Sequence, residues 1–127
     1  EKKLNYNMIK NWLLNKKVTI SYPNYIRDNI YIDKLSNEYI KIIKSKNNKS
    51  EYYPSGYCSS NEAYINSLKY EFEKFFKIKA QVHFKYDNFH NQPIVRINAK
   101  SYKKNVKIKE NLKLYFNYYK KIIKKIN

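Results

Sequence analysis

The apolar residues change their spacing between residues 62 and 86, and this change constrains the fold more than any other feature. Before residue 78 they recur every three or four positions, at Ile65, Leu68, Phe72, Phe75 and Phe76. From Ile78 to Tyr86 they alternate with polar residues. The first spacing is typical of an amphipathic helix and the second of a strand buried on one face. We therefore expect a helix over 62–77, begun by a capping box of Ser59 and Glu62, and a strand over 78–86.

The amino-terminal third predicts one more helix and a hairpin. Ile9, Trp12 and Leu13 lie at helical spacing within residues 6–16, and residues 18–22 are either a strand or the end of that helix. Residues 29–34 and 38–45 are both interpreted as strands, joined by a turn at Ser36-Asn37. A long loop should follow over 46–60, since it contains the single glycine of the chain, Gly56.

The carboxyl-terminal region, about 101–127, predicts a basic helix after a loop at 87–93 and an ambiguous segment at 94–99. Its apolar stripe is Ile108, Leu112, Tyr115, Phe116, Tyr119, Ile122, Ile123 and Ile126. A three-stranded sheet covered on one face by two other helices leaves little room for this stripe. We therefore expect its end, around Ile122 to Ile126, to pack on another chain.

The composition favours a polyanionic partner. The 127 residues suit one domain, with its core at about 6–90, and they carry a net charge of +17. Such a charge opposes compaction unless a partner neutralises it. The chain has 25 Lys, 18 Asn, 16 Ile and 15 Tyr, residues that codons made only of A and T can encode. This indicates an AT-rich gene, as in many organelle genomes and some protists. Only two residues are Arg, so contacts should run from Lys to phosphate with little reading of bases.

The predicted RNA-binding residues are lysines in the loop and carboxyl-terminal region, together with one loop tyrosine. Between residues 100 and 127, ten Lys face a single acid, Glu110, which is more one-sided than a solvated helix face requires. Loop tyrosines could stack on bases, Tyr52 and Tyr53 among them. The candidate set is Lys46, Lys49, Tyr57, Lys100, Lys103, Lys104, Lys107, Lys109, Lys120, Lys121, Lys124 and Lys125.

Other chemistry is poorly represented in the sequence. Cys58 is the single cysteine, so no internal disulfide can form, and His83 and His90 have no partners at metal-ligand spacing. A phosphate loop would need more glycine than Gly56. No apolar run approaches the length of a membrane span. We expect no enzymatic activity, metal, cofactor, small-molecule substrate or membrane contact.

The predicted order of helix, two strands, loop, helix and strand resembles a type II KH domain, an RNA-binding module. The residues resemble one family in particular, the amino-terminal domain of the third ribosomal protein of the small subunit. Its strand pair is matched by residues 29–34 and 38–46, its last helix and strand by 68–84, and its following Asn-Pro by 91–93. At the place of the Gly-x-x-Gly clamp stands Ser55-Gly56-Tyr57-Cys58, with one glycine missing.

The resemblance implies an α+β fold of KH type II, a small three-stranded sheet packed on one face by helices. It also implies a structural protein of an organellar small ribosomal subunit, mitochondrial or else of a plastid-type organelle. Its partners would be small-subunit rRNA and neighbouring ribosomal proteins, a separately encoded carboxyl-terminal half among them. Two alternatives stay open: a partial LAGLIDADG homing endonuclease, similar over residues 62–97, and a lineage-specific ribosomal protein.

Overall fold

The computed structural model describes residues 4–45, 51–87 and 92–126, with the side chains of the helical residues 125 and 126 excepted. Its elements follow the chain in this order: α1 (Leu4–Leu13), β1 (Val18–Ser21), β2 (Ile26–Asn29), α2 (Ile32–Lys44), β3 (Tyr57–Ser60), α3 (Asn61–Phe76), β4 (Val82–Lys85), β5 (Val95–Arg96) and α4 (Lys113–Ile126). The described part is therefore a mixed α+β structure with four helices and small sheets, which confirms the predicted class.

The strands form two separate sheets. Strand β1 pairs with β4 in parallel, with Val18 opposite Val82. In the second sheet β2 lies in the centre, antiparallel to β3 and parallel to β5. Strand β1 lies within residues 18–22, so the first of the two alternatives given for that segment is correct. Strand β4 lies within the predicted strand but is shorter than the expected 78–86.

The core lies between α1, α3, α4 and the β1–β4 sheet. Phe72 of α3 is at its centre, with ring centroids 5.1 Å from Trp12, 4.7 Å from Phe76 and 6.0 Å from Phe116. The Trp12 indole also donates to the Gln81 carbonyl at 3.2 Å, which fixes α1 beside β4. Phe116 and Ile123 of α4 are buried in this core. The expectation that the core has too little room for the apolar stripe of this helix is therefore wrong at these two positions.

The predicted hairpin at 29–45 is wrong, because residues 32–44 form the single helix α2. Ile32, Leu35, Tyr39 and Ile43 also fit a period of three to four, so the short alternation at 29–34 was ambiguous. Ser36-Asn37 contains neither Gly nor Pro to break a helix. The Lys41 ammonium meets the Glu38 carboxylate at 2.8 Å one turn away, a pair that supports the helix.

The starts of two other helices differ from the predicted positions. Helix α3 is confirmed, but its cap is Ser60, whose hydroxyl accepts from the Ala63 amide at 3.1 Å, and not Ser59, which is buried in β3. Residues 101–112 are not helical, so the carboxyl-terminal helix begins only at Lys113. Lys100 with Lys104 and Lys103 with Lys107 would repel each other at i,i+4 on a helix. Of the loop at 87–93, residues 88–91 lie outside the described ranges.

Candidate nucleic-acid interface

The non-helical segment before α4 is held against the body by its backbone. The Lys103 amide donates to the Cys58 carbonyl at 2.9 Å, which extends the edge of β3. The Ile108 amide donates to the Ser67 hydroxyl of α3 and the Lys109 amide to the Tyr57 hydroxyl, each at 2.9 Å. The Ile108 side chain is buried beneath these bonds. The segment is thus fixed in an extended path that leaves its lysine side chains at the surface.

Three of the predicted lysines and Tyr57 come together in a groove of about 560 Å³, which we call the lysine groove. Lys103, Lys107 and Lys109 line it from the extended segment, and Lys34 of α2 lines it from the other side. Glu110 is the one acidic residue of the lining. Four ammonium groups around one concave surface focus a positive potential there, which attracts phosphate.

The same segment lines a second groove on its other side, of about 720 Å³. Lys107 and Lys109 border both grooves, and Lys74 of α3 and Lys113 of α4 add two further ammonium groups to the second one. Glu71 and Glu110 are its acids. The two grooves together form a continuous lysine-rich border along residues 107–110.

The ion pairs between described residues do not involve the groove lysines. Among the described residues, lysines pair with acids at Lys41, Lys69 and Lys85, and no lysine of either groove takes part. Lys34 instead lies with its ammonium 5.9 Å from the centroid of the Tyr57 ring. A lysine without a carboxylate partner keeps its full charge for an external anion.

Tyr57 was predicted to lie in the loop 46–60, but in the structure it is a strand residue with a structural role. It belongs to β3, is half-buried, and packs edge-on against Tyr31 at 6.0 Å. With its hydroxyl on the Lys109 amide, the ring supports the lysine groove from below. Tyr53 is more open, with 65% of its side chain exposed, and its hydroxyl donates to the Glu51 carboxylate.

Gly56 forms part of the groove wall for a steric reason. A β-carbon at this position would lie 2.1 Å from the Asn29 carbonyl oxygen and 2.7 Å from the Ile30 α-carbon. The Gly56 amide donates to the Asp28 carboxylate at 2.6 Å. The glycine is therefore required for close contact with the end of β2, and its amide is already occupied.

The remaining predicted lysines are dispersed. Lys100 and Lys104 are exposed on the extended segment but do not border the grooves, and Lys120, Lys121 and Lys124 are exposed on α4. Lys46 and Lys49, and the side chain of Lys125, lie outside the described residues. Sequence reasoning missed Lys34 and Lys74, because each is isolated among residues of other types and only the fold brings them to the border.

One of the two arginines is occupied by the fold. The Arg27 guanidinium donates to the Ile26 and Ile94 carbonyls at 2.8 and 2.9 Å, and lies 4.5 Å from the centroid of the Tyr25 ring. Arg27 therefore fastens β5 to β2.

A tyrosine cluster lies between the grooves and α1. The Tyr64 hydroxyl donates to the Tyr31 hydroxyl at 3.2 Å, and the Tyr115 ring packs edge-on against Tyr31 at 5.5 Å. Burial raises the pKa of all three hydroxyls above the ordinary tyrosine value, because the phenolate would be poorly solvated there. These groups stay neutral in the folded protein and hold the groove-forming elements together.

The other candidate centres remain separate in the described ranges. Cys58 is buried, and burial and the nearby Asp28 raise the pKa of its thiol, while His83 is exposed on β4. Within 4–45, 51–87 and 92–126, no three His, Cys, Asp or Glu residues come close enough to hold a metal ion. None of the described helices is long and apolar enough to cross a membrane.

Comparison of the chain with protein-family models, with curated proteins and with solved structures finds no match.

Proposed function

We propose that this protein binds RNA through lysine–phosphate contacts and is a structural component of an organellar, mitochondrial small ribosomal subunit. The lysine groove carries the proposal, since Lys34, Lys103, Lys107 and Lys109 converge on it from separate parts of the chain. The net charge of +17 and the AT-rich codon composition support the organellar rRNA as the polyanion. Neighbouring ribosomal proteins, a separately encoded carboxyl-terminal half included, are the protein partners in this proposal.

The KH resemblance supports this proposal in one part of the chain and not in two others. Helix α3 followed by β4 agrees with the helix and strand that the resemblance needs at 68–84. Helix α2 takes the place of most of its strand pair, and the Gly56 amide is bound to Asp28 instead of open to a phosphate. We therefore place the RNA on the lysine groove and its border, with no Gly-x-x-Gly clamp.

Two matched triple variants test this placement. Lys103→Ala/Lys107→Ala/Lys109→Ala removes the groove charge, and Lys16→Ala/Lys17→Ala/Lys79→Ala removes the same charge from exposed positions elsewhere. Affinity for a structured small-subunit rRNA fragment is measured between 50 and 200 mM salt. Each lost phosphate contact should reduce the salt slope by about 0.7–0.9, so the groove variant should lose roughly two to three units of slope. The control variant should lose much less.

Several results would contradict the proposal. Equal losses for the two triple variants would mean that net charge acts without the groove, and strong discrimination between structured and scrambled RNA would contradict phosphate-based binding. Tighter binding to a DNA duplex than to RNA would favour the homing-endonuclease alternative. If the tagged protein does not copurify with small-subunit rRNA from organelles, its assignment to the ribosome is wrong.

A further inference from the structure

Helix α2 carries an exposed apolar stripe. All thirteen of its residues are described and none is buried. Ile32, Tyr39 and Ile43 expose 71%, 54% and 82% of their surface, and Ile40 beside them exposes 47%. Positions 32, 39 and 43 share one side of a helix with 3.6 residues per turn. Large apolar residues that are grouped and exposed on one face mark an interaction surface more often than isolated ones do.

The two ends of this stripe are flanked by residues of opposite charge. Asp33 lies at the amino-terminal end and Lys44 at the carboxyl-terminal end, both exposed. They are separated by about three helical turns, so they border the stripe on the same side. Ile32 and Ile43 have the same separation, and Tyr39 lies near the middle. Helix α2 contains two acidic and three basic residues, so the large positive charge of the chain lies mostly elsewhere.

We propose that α2 pairs with α2 of a second copy of this chain, antiparallel and about a two-fold axis near Tyr39. This arrangement places Ile32 of each copy beside Ile43 of the other. It also places each Asp33 opposite a Lys44, because flanking residues on the same side face each other across an antiparallel helix pair. A second copy supplies both complementary halves of the pattern, as a self-complementary two-fold interface requires. A parallel pair would instead place both Asp33 at one end and both Lys44 at the other, so no Asp33 would meet a Lys44.

The pairing is independent of RNA binding. The stripe residues Ile32, Tyr39 and Ile43 line neither lysine-rich groove. Lys34 is the one α2 residue that borders the lysine groove, and none of the substitutions in the tests below changes it. If the wild type stays monomeric but binds RNA through the lysine groove, only this inference fails. If the wild type dimerises but the groove triple variant keeps full RNA affinity, only the proposed function fails.

Charge exchange gives the sharpest test, measured by sedimentation equilibrium of the full chain at about 0.15 M salt, where the Debye length is about 8 Å. The wild type should show a concentration-dependent equilibrium between monomer and dimer, because an interface of one helix pair is small. Asp33→Lys alone and Lys44→Asp alone should each weaken the dimer about tenfold, by loss of two symmetric pairs and new repulsion. The double exchange should restore the dimer to within about threefold of the wild type.

The apolar stripe is tested with a matched pair of exposed residues. Ile43→Glu should abolish the dimer, while Tyr70→Glu, at an α3 residue that is 61% exposed, should leave it intact. Under mild oxidation Tyr39→Cys should link two copies, and Ile32→Cys alone should not, since the antiparallel ends lie about 20 Å apart. The proposal is overturned if the wild type stays monomeric or if Ile43→Glu dimerises as tightly as the wild type. It is also overturned if the double exchange dimerises no better than either single change, or if Ile32→Cys links two copies.

Discussion

The buried tyrosine cluster should make this protein unfold abruptly in alkali. Burial keeps the pKa of Tyr31, Tyr64 and Tyr115 above the ordinary value of about 10. Above that pH the unfolded chain loses these protons and the folded chain retains them. The free energy of unfolding must therefore fall as pH rises, and it is unaffected by these groups below pH 10.

The size of the effect follows from the number of groups. Each tyrosine that is ionised only in the unfolded chain removes about 1.4 kcal/mol per pH unit, so three remove up to about 4 kcal/mol per pH unit. A domain of this size is stable by about 5–15 kcal/mol. Unfolding should then begin between about pH 11 and pH 14, depending on the initial stability, and it should be complete within a narrow pH range.

Absorbance at 295 nm, which reports phenolate, and far-ultraviolet circular dichroism should be recorded during the same titration. Part of the phenolate signal should appear only together with the loss of helix. Tyr31→Phe should lower the pH dependence of the unfolding free energy from about 4 to about 3 kcal/mol per unit, whereas Tyr118→Phe, at an exposed ring, should leave it unchanged. The reasoning fails if all the tyrosines ionise near pH 10 while the helices persist.

Two substitutions should change stability in opposite directions, each measured by urea unfolding. Gly56→Ala should cost about 1–3 kcal/mol, because its β-carbon would overlap the Asn29 carbonyl, and Ser55→Ala should cost much less; equal costs would contradict this packing. Lys77 ends α3 with φ of 57°, so Lys77→Gly should stabilise by about 1 kcal/mol. Lys74→Gly, inside the same helix, should destabilise by a similar amount, and a loss of stability at Lys77→Gly would refute the strain argument.

Sequence patterns predicted the parts of the fold that rest on local period. Helix α3 and strand β4 carry long or clean patterns, so they were found close to their true positions. Residues 29–45 were wrongly predicted as strands because short apolar runs fit the period of a helix as well as that of a strand. The pairing of β1 with β4 could not be predicted, since no local pattern relates two segments so far apart in the chain. The need for Gly56 was likewise invisible, since it arises from contact with Asn29 across the second sheet.

The sequence predicted several lysines of the candidate site but not their arrangement in space. The excess of lysine after residue 100 identified Lys103, Lys107 and Lys109 from the sequence alone. Their arrangement depends on the Ile108 and Lys109 amides, which bond to side chains of α3 and β3 instead of to a helix turn. Lys34 joins them only because α2 begins beside the groove.

The pairing of β1 with β4 also determines when the chain can fold during synthesis. Val18 and Ile20 reach their strand partners only after Phe84 has been made, and Trp12 waits for the Gln81 carbonyl. Until then, the first helix and strand leave the ribosome that makes them with apolar side chains uncovered. Contacts between residues so distant in the chain slow folding, since a long loop must close before they form. The nascent amino-terminal segment is therefore a natural substrate for chaperones until the strand after α3 has emerged.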